Sequence, residues 1–194
     1  MKKTLLVSLL SLALAGAASA ETYTIDPVHS SVNFSLRHLV SKFSSGFTKV
    51  SGTINYDAAK PEASTVEATV DVGSVATANE RRDNHLKSPD FFDVAKFPSA
   101  TFTSKSWKKT GENSFDVTGD LTIHGVTKEV VLKTMLVGSG PGMGGAVLTG
   151  WDATTTIKRS DFGVGGDNFV KALGDDVTIN IGIEAAYKPA AAAK

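Results

Sequence analysis

This chain reads as an all-β domain whose strands fold their dry faces inward as a sandwich or a barrel. The first observation is periodicity. Eight or so short stretches alternate apolar and polar residues with a period of two. Val32, Phe34 and Leu36 alternate with Asn33, Ser35 and Arg37, and the rhythm returns at Val66-Ala68-Val70-Val72, Phe115-Val117-Gly119-Leu121-Ile123 and Val177-Ile179-Ile181-Ile183. Period two gives each strand one wet and one dry face. The second is that one segment alone, near residues 77–87, carries a convincing helix signal. The third is that the chain has no Cys, so core and sheet must hold it together, and thiolate chemistry is excluded. A soluble chain of such strands buries its dry faces by pairing two sheets or closing one.

The N-terminus stands outside this domain. Lys2 and Lys3 form a positive n-region, Leu5 through Ala15 an apolar h-region, and Ala18-Ser19-Ala20 an A-x-A cleavage site. The apolar run is short of the ~20 residues a membrane span needs, and no Cys at the junction offers a lipid anchor. Residues 1–20 are therefore expected to be a cleaved signal peptide, 21–188 the folded domain and 189–194 a disordered tail. The signal is bacterial in style, which makes the periplasm the expected address; release to the medium uses the same grammar. Cleavage after Ala20 takes two of the twenty Lys and Arg residues and none of the twenty Asp and Glu. The mature chain is thus close to neutral and has no electrostatic footprint for nucleic acid.

Tyr23 to Ile25 and Ser31 to His38 predict the first strands, broken by the Asp26-Pro27 turn. Residues 43–56 continue the sheet with Gly46 and Gly52 as bends, and Ser64 to Val72 is a clean alternating strand. Thr77-Ala78-Asn79-Glu80 reads as a capping box with Thr77 as the cap. Its helix should end near Leu86 or Lys87, before Pro89, and is polar almost all round, as a surface helix is. Thr101 to Trp107 is the next strand. Ser114 to His124 and Lys128 to Val137 predict a hairpin joined at Gly125-Val126-Thr127. Residues 138–145 read as a glycine-rich loop in which Pro141 forbids a strand. Ala146 to Lys158 and Val177 to Tyr187 complete the sheet, with 160–176 between them irregular or partly helical.

Catalytic and metal motifs are weak. There is no G-x-S-x-G elbow, and His29-Ser30 are strand neighbours that point to opposite faces. His29, His38, His85 and His124 are not spaced as local ligand pairs. The glycine runs at 138–140 and 163–166 lack the Gly-Lys-Ser/Thr ending of a phosphate loop. What remains is the interior. Phe34, Leu36, Phe47, Ile54, Val66, Val70, Phe102, Leu121, Ile123, Val130, Leu132, Trp151 and Ile179 are candidate inward positions. A barrel of eight strands is either filled by such side chains or holds one small ligand, and pattern alone leaves both open.

Several segments, taken in order, resemble one family. They are residues 25–34 (IDPVHSSVNF) with Arg37-His38, then 82–86 (RDNHL), 90–93 (DFFD), 96–102 (KFPSATF), 119–128 (GDLTIHGVTK) and 161–163 (DFG). In this order and spacing the mature chain resembles the YceI-like family of bacterial periplasmic proteins. The resemblance implies an eight-stranded antiparallel, lipocalin-like β-barrel with a short surface helix. It also implies an elongated apolar pore holding a polyisoprenoid lipid, either a prenyl pyrophosphate or a prenylated quinone. No enzyme activity and no covalent cofactor are expected.

On that reading the lipid-binding residues are the inward positions named above, Val130 apart. The headgroup should meet Arg37, His38, Arg82 and His85 at the mouth, where arginine's fork suits a pyrophosphate. The competing reading pairs Arg82 with Asp83, Asp90 or Asp93 to fix the helix. Ten buried prenyl carbons offer roughly 8 kcal/mol gross, part of which is lost in ordering the chain, so useful affinity needs a long pore. The expected role is carrier or buffer, with transient membrane contact for loading; the oligomeric state is open, a homodimer included. The alternative is a structural or stress-response barrel whose interior is packed or holds lipid incidentally.

Overall fold

A computed structural model describes residues 20–189, apart from the side chain of Asp167. The expected signal peptide and tail lie outside these residues, except for Ala20 and Pro189.

Eleven strands form one antiparallel sheet that closes on itself. They are β1 (Glu21–Ile25), β2 (Ser31–His38), β3 (Ser41–Phe47), β4 (Val50–Tyr56), β5 (Thr65–Asp71), β6 (Val75–Ala76), β7 (Ser99–Lys109), β8 (Ser114–Ile123), β9 (Val126–Pro141), β10 (Val147–Lys158) and β11 (Leu173–Tyr187). The one α-helix among the described residues, α1 (Glu80–Lys87), joins β6 to β7.

Eleven strands occupy eight positions because three positions are interrupted. β1 and β2 lie along one neighbour, β11, with Ile25 opposite Ala185 and His38 opposite Leu173. β3 and β4 run beside β2 and β1, and β6 and β5 run beside β3 and β4. The rest follow in chain order from β7 to β11. The fold is an eight-stranded antiparallel barrel, and closure leaves few edges to protect.

The interruptions have local causes. Between β1 and β2, Pro27 cannot donate to a ladder, and Asp26 Oδ1 accepts from the Val28 N–H at 2.8 Å, which turns the chain out of the sheet. Between β5 and β6, Asp71 caps a short 3₁₀ turn by accepting from the Gly73 N–H at 2.9 Å.

Four sequence expectations are corrected. The helix cap is Asn79, whose side chain accepts from the Arg82 N–H at 3.0 Å. Thr77 lies further out and gives both its N–H and its hydroxyl to Asp83. Residues 138–141 continue β9, with Gly140 opposite Leu148 and Pro141 opposite Val147. Pro141 is tolerated because β8 pairs with β9 only as far as Met135, which leaves this end of β9 an edge where no N–H is needed on that side. The β8–β9 turn is His124-Gly125, both with positive φ (52° and 76°), and Val126 already pairs with Ile123. Two left-handed residues give the tight hairpin its twist. Finally, β11 begins at Leu173, inside the stretch read as irregular or partly helical; the rest of that stretch holds the short 3₁₀ turns Arg159–Phe162 and Asp167–Phe169.

Candidate functional site

Fifteen residues of β11 rise ~3.3 Å each. With the usual barrel tilt of ~40° the wall is roughly 38 Å tall. Inside it runs a cavity of about 590 Å³. That is about four times the ~150 Å³ left by deleting one large core side chain, and lies within the range of true ligand pockets. Side chains therefore do not fill the interior.

Packing is dense only at the two ends. At the floor, Tyr23, Ile54, Phe102, Trp107, Phe115, Val117, Trp151 and Ala185 form one buried cluster. Trp107 and Trp151 meet edge-to-face at 5.6 Å, and Tyr56 meets Trp151 at 4.9 Å. At the opposite end, the expected mouth beside α1, Phe91, Phe162 and Val164 form a second cluster, against which Leu86, Phe92, Phe169 and Leu173 pack. Between the clusters, inward residues such as Val32, Phe34, Leu36, Ala153, Val177 and Ile179 line the cavity and stay only half-buried. They touch their neighbours along the sheet, Leu36 opposite Val177 and Phe34 opposite Ile179, and face open space across the barrel.

All twelve residues expected to meet a lipid tail line this cavity: Phe34, Leu36, Phe47, Ile54, Val66, Val70, Phe102, Leu121, Ile123, Leu132, Trp151 and Ile179. Val130 does not line it; it packs against the floor cluster.

Of the four expected headgroup residues, His38, Arg82 and His85 line the cavity and Arg37 does not. Leu36 and His38 face inward, so strand alternation turns Arg37 outward. Arg82 is not paired with a carboxylate as the competing reading had it. Its Nε donates to Thr77 Oγ1 at 2.8 Å and its Nη2 to Thr77 O at 2.7 Å. Its guanidinium lies 4.6 Å from the centre of the Phe43 ring. The nearby carboxylates are taken by other groups. Asp83 holds Thr77, Asp90 Oδ2 lies 2.9 Å from His85 Nε2, and Asp93 meets Lys96 at 2.9 Å. The His85 ring stands edge-on to Phe91 at 5.0 Å and to Phe169 at 5.8 Å. The inner side of α1 thus lines the cavity through Arg82, His85 and Leu86, while its other faces meet water.

Sequence reasoning missed Arg159. Only 7 % exposed, it lines the cavity beside Phe162, Val164 and Phe169. Its guanidinium donates to three carbonyls: Nη1 to Val164 O (2.9 Å) and Gly165 O (3.1 Å), and Nε to Gly174 O (3.2 Å). Lys158 and Arg159 are adjacent in the chain, yet their side chains diverge. Lys158 points out to Asp176 at 3.1 Å. The signal was alternation along β10: Ala153, Thr155 and Ile157 face inward, and the same parity places Arg159 inside.

Residues 23–185 match the sequence model of the YceI-like domain. The chain belongs to the YceI-like family. Within that family it is similar to a UPF0312 protein of Pseudomonas savastanoi pv. phaseolicola, 44% identical over 171 residues, covering 86% of this chain and 89% of the relative. This YceI-like barrel also superposes on the crystal structure of Burkholderia cenocepacia BcnA with a TM-score of 0.77 at 26% identity, covering 82% of this chain and 98% of that one. A third likeness, of fold alone, is to a protein of Saccharophagus degradans described as a polyisoprenoid binding domain implicated in plant cell wall breakdown. There the TM-score is 0.64 at 18% identity, covering 86% and 98% of the two chains.

Proposed function

We propose that this protein binds one long isoprenoid lipid in its barrel and serves as a periplasmic carrier or buffer for it. The carrying observation is the cavity: about 590 Å³, walled by aliphatic and aromatic side chains, with its cations gathered at one end. An unbranched or prenyl tail gains about 0.8 kcal/mol for each buried CH₂, and an extended pore accepts such a tail without folding it. The polar head stays among His38, Arg82 and His85, with Arg159 behind them. The chemistry of this set suits an anionic or carbonyl-bearing head: Arg82 and Arg159 are permanent cations, and the histidine rings can donate. The fold shared with a protein described as polyisoprenoid-binding supports this reading.

Native purification, organic extraction and mass spectrometry of the extract test it. A stoichiometric prenyl lipid is the expected result, and its head names the group to be explained at the mouth. A clean extract, from protein that also refuses added prenyl lipid, would overturn the proposal.

A further inference from the structure

The β2–β3 hairpin at the mouth breaks two local rules at once. Its two-residue turn, Leu39-Val40, joins His38 to Ser41, and Leu39 has a φ of 50°. Tight hairpin turns place Gly, Asn or Asp at left-handed positions, because a bulky side chain is strained there. The turn is also of the wrong polarity for water: Leu39 is 55% and Val40 102% exposed. Behind it, Arg37 and Lys42 stand directly opposite each other on the outer face. Like charges so placed weaken a strand pair. Arg37 Nη1 donates to Leu39 O at 2.8 Å, which keeps its guanidinium at the base of the tip.

A second tip stands beside the first. The Leu39 N–H donates to Ala172 O at 2.7 Å, and the turn before Ala172 presents Val170, 54% exposed, and exposed Lys171. His38 and Ala172, which border the two tips, line the cavity. Broken local rules without a structural gain mark functional positions. Exposed aliphatic side chains with Arg37, Lys42 and Lys171 beside them have the chemistry of a membrane interface. The aliphatics enter the acyl boundary, and the Lys and Arg meet anionic headgroups. Continuity with the cavity favours a bilayer over a protein partner, since a bilayer is the phase in which a free long-chain lipid resides.

We propose that the Leu39-Val40 tip and the Val170-Lys171 turn dock the barrel mouth-first on an anionic lipid bilayer, where lipid passes between membrane and cavity. This inference rests on the lipid-binding reading above.

Co-sedimentation of the purified protein with vesicles tests it. One set holds phosphatidylglycerol and phosphatidylethanolamine in equal parts, the other phosphatidylcholine alone. The expected result is binding to the anionic set that weakens as salt rises. It should fall about fivefold for each basic residue removed in R37S/K42T, and about tenfold or more in L39N/V40G. Because L39N/V40G relieves the left-handed leucine, its thermal melt should match or exceed the parent's. M143S, at an equally exposed apolar residue (95%) in the turn at the floor end, should bind as the parent does.

Absence of binding to anionic vesicles, or undiminished binding by L39N/V40G, would overturn the proposal. So would binding that appears only when membrane proteins are present, which would assign the tips to a protein receptor. Lipid occupancy after loading from detergent is measured on the same samples. Failure of occupancy in the parent would count against the lipid-binding reading, whereas full occupancy without vesicle binding would count against docking alone.

Discussion

Arg159 ties the start of β11 to the turns after β10 by supplying donors to the carbonyls of Val164, Gly165 and Gly174. Replacing it with methionine leaves those buried acceptors without partners. Arg159→Met should therefore cost roughly 2–4 kcal/mol, read as a lower urea midpoint at unchanged slope. Gly119 is fixed by close approach rather than by a turn. A Cβ there would meet Phe102 Cζ and Thr103 O, each at 2.5 Å. Gly119→Ala should cost about 1–3 kcal/mol through overpacking, with the near-ultraviolet signal of the tryptophan cluster reporting the shift.

Among the elements, α1 is short and has no buried residue, so packing contributes little and its cap matters more. Asn79→Ala removes the acceptor for the Arg82 N–H and should cost about 1 kcal/mol. Because Arg82 and His85 line the cavity from this helix, faster exchange of bound lipid is expected as well, measured by transfer of a fluorescent prenyl probe.

The β1–β2 turn carries a pH dependence. His29 Nδ1 lies 2.8 Å from Asp26 Oδ2 and 3.7 Å from Glu184 Oε1. Hydrogen bonding to Asp26, then the charges of Asp26 and Glu184, raise the His29 pKa above its usual 6.5. The hydrogen bonds from His29 and the Val28 N–H lower that of Asp26 below 3.8. The His29 contribution is full below pH ~6.5 and is lost as pH rises through its raised value. The Asp26 contribution is full above ~3.9 and is lost as pH falls through its lowered value. The turn is thus tightest between about pH 4 and 6.5. His29 is well exposed and Asp26 only half-buried, so solvent screening keeps the effect small. His29→Gln should flatten the decline in urea midpoint that the parent shows from pH 6 to 8.5; equal slopes in both proteins would refute the linkage.

For the whole molecule, the consequence of the fold is a wall that encloses space. A ligand bound only by the folded barrel stabilises it by mass action, ~2.7 kcal/mol at a hundredfold excess over Kd. Removing bound lipid should therefore lower the melting temperature, and re-adding it should restore the loss. Ala153 sits mid-strand with its methyl on the cavity, opposite Thr134 and Ile181. Ala153→Phe places a ring in the pore. The fold should persist, since the ring enters existing space, while the capacity for long prenyl lipid measured by extraction should drop severalfold. Undiminished capacity would mean that the tail takes another path.

The amino-acid sequence by itself determined the strands and their facing, because alternation is a local property: Phe34, Leu36, Val70 and Ile179 had to share one side of the sheet whatever closed it. It also carried the family, through short segments in order. Four things were decided only by tertiary structure. Residues 138–141 joined β9 because β10 offers them partners, which outweighs the local preference of Gly and Pro. Thr77 lost the cap to Asn79 because Asp83 and Arg82 claimed its N–H, hydroxyl and carbonyl. The packed and ligand-holding interiors share one alternating pattern, and the volume left inside depends on how far apart closure holds facing walls. Arg159 belongs with these, since its burial depends on how the turn directly after β10 and the start of β11 fold their carbonyls back over it.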